Sequence, residues 1–126
     1  MAECVVVRGG KPFTGRQGLD YFEGISAESA GSTGICMHLL EMPPGVAARP
    51  HLHENHETAI LMLDGHAGMR YGDGLAEELE VEAGDFLYIP PGMPHQPFNA
   101  GDGPARAVIA RTDPSEQESV VLLDDQ

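Results

Sequence analysis

Positive charge is scarce in this chain. Lys11 is the only lysine, Lys plus Arg total 7 against 20 Asp plus Glu, and the formal net charge is −13. No basic stripe exists to neutralise phosphates or an anionic membrane surface, so nucleic acid and lipid head groups are excluded as expected partners. The acidity reads as a solvated surface, with acid runs such as Glu77-Glu78 and Asp124-Asp125 falling where loops or tails are expected. Cysteine is equally sparse. Cys4 and Cys36 are too few for a disulfide framework and lack a paired metal-binding spacing, which favours buried free thiols in a reducing cytoplasm. No apolar run approaches the roughly 20 residues of a membrane-spanning helix. The opening segment MAECVVVRGGKP carries no basic leader, so neither a signal peptide nor a transmembrane helix is expected, and the location implied is cytoplasmic.

What is abundant is punctuation. The 126 residues include 16 Gly and 10 Pro, with 41% hydrophobic residues and no low-complexity tract, which suits one ordered, turn-rich domain over residues 1–126. Short apolar or alternating runs at 35–42, 58–63, 66–71, 79–81, 86–89, 106–111 and 119–123 are separated by Gly, Pro and Asp, leaving little room for helices. The fold class expected is all-β, a sandwich or barrel. Residues 9–34, rich in Gly and Ser, read as an N-terminal strand pair or a loop covering the barrel. Asp64-Gly65 between two apolar runs is a type I′ hairpin signal, predicting that 58–63 and 66–71 pair antiparallel. In 58–63 both faces are apolar: Ala59, Leu61 and Leu63 on one, Thr58, Ile60 and Met62 on the other. A strand covered on both sides in so small a protein predicts a homodimer.

Two segments carry the chemistry. The first is Gly45-Val-Ala-Ala-Arg-Pro-His51-Leu-His53-Glu-Asn-His-Glu57, and the second is Gly84-Asp-Phe-Leu-Tyr-Ile-Pro90-Pro-Gly92-Met-Pro-His95-Gln-Pro-Phe-Asn99. Together they supply three imidazoles and a carboxylate, a ligand set for one divalent metal ion. His51 and His53 lie two residues apart, so on an extended segment they project to one side, and Glu57 shares their odd parity. His95 arrives from a distant segment after Pro-Pro-Gly-Met-Pro, whose fixed φ values and glycine permit a rigid turn. The predicted metal ligands are therefore His51, His53, Glu57 and His95. His56, beside Glu57, is an alternative fourth ligand, although its even parity points away. His38 on the run 35–40 reads as packed, and His66 as exposed.

These paired segments resemble the two motifs of the cupin superfamily, the small jelly-roll (double-stranded β-helix) barrels. The second matches that pattern at Gly84, Pro90, Gly92, His95 and Asn99, and the first at Gly45, His51, His53 and Glu57. Gly65, which closes the first, comes one residue later than usual. The motifs span about 45–65 and 84–99. The resemblance implies that the flanking strands complete the same barrel, that His51, His53, Glu57 and His95 ligate the metal, and that the protein dimerises.

Sequence does not choose among Fe, Mn, Co, Ni, Cu and Zn for such a site. Four protein ligands leave one or two positions for O₂ and a substrate oxygen, or for Lewis-acid polarisation of a carbonyl or hydroxyl. The expected function is a metal-dependent small-molecule enzyme, a dioxygenase or an isomerase, lyase or cyclase. The alternative is a non-enzymatic cupin that binds a sugar or an acid. Sensor versions of that kind are often fused to a DNA-binding helical domain, and this chain has no helix-turn-helix pattern. No general acid or base is assigned. Tyr88, Gln96, Arg49, Arg70, Arg106 and Arg111 are the polar residues near the motifs or on predicted strands, and an inward arginine among them would meet a substrate carboxylate.

Overall fold

Short apolar or alternating runs, separated by Gly, Pro and Asp, form strands throughout. The computed structural model, which describes residues 3–115 and 119–123, contains β1 (Pro12–Thr14), β2 (Asp20–Ile25), β3 (Cys36–Met42), β4 (His51–His53), β5 (Thr58–Asp64), β6 (His66–Tyr71), β7 (Glu77–Glu82), β8 (Phe86–Ile89), β9 (His95–Phe98), β10 (Ala105–Arg111) and β11 (Val120–Leu122). One short helix, α1 (Ala27–Ala30), follows β2. Ser26 and Ser29 cap it reciprocally, each side chain accepting the other's backbone N–H. Residues 9–34 thus hold a strand pair and a helical turn. Among the described residues, no helix is long and apolar enough to cross a membrane.

The strands form two sheets, ordered β1-β2-β3-β10-β5-β8 and β11-β4-β9-β6-β7. Their inner faces share one core. Tyr21, Leu40, Met42, Met62, Ala107 and Ile109 come from the six-stranded sheet and meet Ala67 and Val81 of the five-stranded one. The fold is all-β and two-sheeted, and each sheet is an open series of paired strands rather than a ring.

Several sequence expectations need correction. Residues 58–63 and 66–71 do not form a hairpin: β5 pairs with β10 and β8, while β6 pairs with β7 and β9. Gly65 is left-handed (φ 85°), whereas Asp64 keeps a negative φ at the end of β5, so the second positive-φ residue that a type I′ turn requires is missing. The connection therefore carries the chain from one sheet to the other. Glu77 and Glu78 open β7 and stand exposed on it, rather than lying in a loop; Asp124 and Asp125 lie outside the described residues. Cys36 is buried as expected, but Cys4 is exposed.

Asn99 pins the arrangement at the end of β9. Its side-chain amide donates to the carbonyls of Met42 and Gly103, at 2.9 Å each, and its Oδ1 accepts the Gly101 N–H at 2.9 Å. Its backbone also bonds both ways with the first motif, Gly45 N–H to its carbonyl and its own N–H to Val46. The residue is 2% exposed, so none of these groups has ready recourse to water. Asn99→Ala strands two carbonyls and one amide, and a loss of about 2–4 kcal/mol is expected in urea unfolding; a loss below about 1 kcal/mol would contradict this role.

Candidate metal centre

The site begins with a register. His51 on β4 lies directly opposite His95 on β9, and their rings pack 4.3 Å apart. His53, two residues along β4, projects to the same face, with its ring centre 5.2 Å from His51 and 5.6 Å from His95. All three are buried, and their candidate ligand atoms lie within 4.8 Å of one another. The turn before β9 does what its prolines and glycine imply: Gly92, left-handed, donates its N–H to the His53 carbonyl and so ties the second motif to the first.

Hydrogen bonds fix the tautomers. Nδ1 of His51 lies 2.7 Å from the Arg49 carbonyl, and Nδ1 of His95 lies 2.9 Å from that of Met93. A carbonyl only accepts, so both Nδ1 atoms carry the proton and both Nε2 atoms present a lone pair. His53 differs, since both of its ring nitrogens are buried and neither has a hydrogen-bond partner. An orphaned buried nitrogen costs about 1–3 kcal/mol. Beside two oriented imidazoles, an ion that His53 ligates takes up the lone pair on one of these nitrogens. The residues fit a divalent transition metal, and the three histidines form its site.

Electrostatics keep the ligands deprotonated. Burial, followed by the neighbouring His95, lowers the His51 pKa to about 3, against an opposing contribution from the Arg49 carbonyl. Burial, with a smaller push from the Arg111 charge, lowers His95 to about 4 although the Met93 carbonyl opposes it. His53 is pushed down further still, by burial first and Arg111 second. No proton competes with a metal for these lone pairs at neutral pH.

Glu57 is not brought to the cluster. The segment 54–57 turns between β4 and β5, with Asn55 in the left-handed region (φ 62°), and this resets the strand parity. Even residues of β5 then face inward, so Thr58 is buried while Glu57 is exposed and accepts a 2.8 Å hydrogen bond from Tyr88. That bond raises the Tyr88 pKa. Opposite Thr112, Glu57 is held outward by a pair of backbone bonds to that residue's hydroxyl and amide. The even-parity alternative fails too: His56 turns to Asp113, with Nδ1 3.9 Å from Oδ2.

The other candidates separate clearly. His38 accepts the Gly24 N–H and packs edge-on against Phe13, and His66 lies 3.8 Å from Glu80. Arg70 covers the Phe98 ring, Arg106 pairs with Glu41 and Asp64, and Gln96 bonds the Ala48 carbonyl. Arg49 is half-buried and offers its carbonyl to His51. Arg111 is buried and borders the interior cavity beside His51 and His95. That cavity, about 50 Å³, is otherwise lined by apolar side chains such as Ile60, Met62 and Ile109.

Comparison with known proteins follows the same lines. Residues 38–111 match the cupin domain family. An uncharacterised protein of Methanocaldococcus jannaschii is 30% identical over 93 residues, 72% of each chain. Germin-like protein 9-3 of Oryza sativa subsp. japonica is 32% identical over 74 residues, 57% of this chain and 35% of that protein. Among solved structures, the oxalate decarboxylase of Bacillus subtilis, a protein with Mn(II) centres, superposes with a TM-score of 0.74 at 26% identity, over 90% of this chain and 30% of that one. The chain spans about a third of the length of these germin-like and oxalate decarboxylase proteins.

If the three histidines suffice, Glu57→Gln leaves the metal stoichiometry unchanged and shifts metal affinity by less than about threefold in competition with a chromophoric chelator, against the 10–100-fold typical of even a supporting residue. A tenfold or greater loss would restore Glu57 to the ligand set.

Proposed function

This chain belongs to the cupin family, and from that premise we propose that it is a metal-dependent enzyme acting on a small molecule at the His51, His53, His95 centre. The observation that carries this reading is the orphaned ring of His53 beside two oriented imidazoles, His51 and His95, which border a small apolar cavity. A divalent first-row ion bound there supplies Lewis-acid polarisation of a substrate oxygen, and a redox centre if it is iron or manganese. His51 and His95 hold their lone pairs in place through the Arg49 and Met93 carbonyls, and the apolar lining keeps bulk water out. Three neutral donors leave the ion its full charge, which favours lyase or isomerase chemistry over dioxygenation. The decarboxylase activity named for the Bacillus subtilis relative supports the same choice.

We place the reaction in a single domain over 1–126 in which the two sheets are the halves of a jelly-roll barrel. We also assign a homodimer in the cytoplasm. The outer face of the six-stranded sheet supports dimerisation: by register, Tyr88, Ala59, Ala110 and Met37 form one cross-strand row, and Phe86, Leu61, Val108, Leu39 and Phe22 the next. Phe86 is 83% exposed at one end of that apolar surface. A second copy is its natural cover.

Elemental analysis of untagged protein should give close to one equivalent of a divalent transition metal. His53→Ala should lose it while keeping the β signal in circular dichroism. No metal in the wild type after reconstitution, or full occupancy in the variant, would overturn the site. In light scattering at micromolar concentration the wild type should be a dimer and Phe86→Glu a monomer; a monomeric wild type refutes the interface.

A further inference from the structure

The six-stranded sheet has an open edge at β8. Met62 donates its N–H to the Asp85 carbonyl, and counting from that bond through the β5–β8 register makes Ile60–Leu87 and Thr58–Ile89 the hydrogen-bonded pairs. Phe86 and Tyr88 therefore turn their backbone N–H and C=O groups away from β5, and β8 is the last strand of its sheet. Their side chains are 83% and 57% exposed, and the run Phe-Leu-Tyr-Ile holds no lysine, proline or other charge that would blunt the edge. A second unmatched feature is the segment that precedes β1. Val5 and Val6, β-branched residues suited to a strand, are exposed, yet among the described residues the backbone of 3–10 makes no hydrogen bond to another backbone group. Val7 borders a groove on the outer face of the sheet with Phe22, Met37, Leu39 and Val108. The segment thus leaves the fold over the apolar rows assigned to a second copy.

We propose that these two features satisfy each other between copies: segment 4–6 of one protomer adds as a strand to the β8 edge of its partner, and the partner returns the same contact. The inference rests on the homodimer assigned above and adds the segment that completes it. The outward backbone groups of Phe86 and Tyr88 supply the pairing. Neighbouring residues of an added strand point to opposite faces, so one valine covers the exposed rings while the other packs beside the half-buried Leu87. Charge selects the same contact. At a net charge of −13 most faces repel a second copy, but Arg8 and Lys11, two of the seven cations, follow this segment directly, and Glu82 and Asp85 stand exposed where the chain turns into β8. Reciprocal exchange is isologous and closes at two copies, which covers both edges without propagating into a fibre.

The test is a thiol cross-link between two different chains. Cys4 lies on the segment and is exposed, whereas Cys36 is buried. Wild type is co-expressed with a Cys4→Ser, Tyr88→Cys chain, and separately with a Cys4→Ser, Phe86→Cys chain, so that no protomer carries both thiols. Each sample is oxidised and its linked peptides are identified by mass spectrometry. At least one of the two should yield a covalent heterodimer joining Cys4 to the introduced thiol. In light scattering across a dilution series, the neutral double variant Val5→Ser, Val6→Ser should raise the dimer dissociation constant about tenfold or more. A dimeric wild type that gives no Cys4 link with either chain overturns the exchange, as does a double variant that dimerises as tightly as wild type. Should the cysteine chains fail to dimerise, the dilution series decides alone. A monomeric wild type instead defeats the homodimer assigned above, a distinguishable failure.

Discussion

The antiparallel contact of β4 with β9 is the constraint on which the rest of the site depends. It is a single residue pair, His51 opposite His95, yet it brings together imidazoles from segments more than forty positions apart. Each partner is paired on its other side, His51 with Leu122 of β11 and His95 with Tyr71 of β6, and further backbone bonds add to the precision. Gly92 bonds the His53 carbonyl, Leu123 bonds the Pro50 carbonyl, and Asn99 ties the end of β9 to β3 and to the start of the first motif. The ligands are thus placed by a network of backbone hydrogen bonds, and burial holds their imidazoles neutral.

Burial also sorts the charged side chains. Arg111 is buried and borders the space between the sheets, whereas acidic residues such as Glu77, Glu78, Glu80 and Glu82 stand exposed on β7. Glu57 belongs to that outside set, bonded to Tyr88 beside the apolar rows of the outer face. The same strand, β5, therefore serves two environments at alternate residues: Thr58, Ile60 and Met62 face the interior, and Ala59 and Leu61 face the surface assigned to a second copy.

Most of the strands were legible from alternation and punctuation, and β3, β5, β6, β8 and β10 fall within a residue or two of where the sequence puts them. Three histidine ligands were legible because their spacing on an extended segment fixes their side. What failed, failed at turns. Parity counted from His53 to Glu57 assumes an extended chain, but the Glu54-Asn55 turn with its left-handed Asn55 inserts a half-step that no periodicity records. Asp64-Gly65 has hairpin composition, yet tertiary pairing sends its two strands to different sheets. Arg111 could not be singled out from Arg49, Arg70 and Arg106, because both parities of the run 105–111 contain apolar residues and a cation, leaving no mark of which side faces in.

An anomalous-difference map from crystals of the metal-loaded protein, collected at the absorption edge of its metal, tests the central claim most directly. The account requires one peak at about 2.0–2.2 Å from nitrogens of His51, His53 and His95, with Glu57 still on Tyr88. A Glu57 carboxylate swung into the coordination sphere, or a peak lacking any of the three imidazoles, would contradict it.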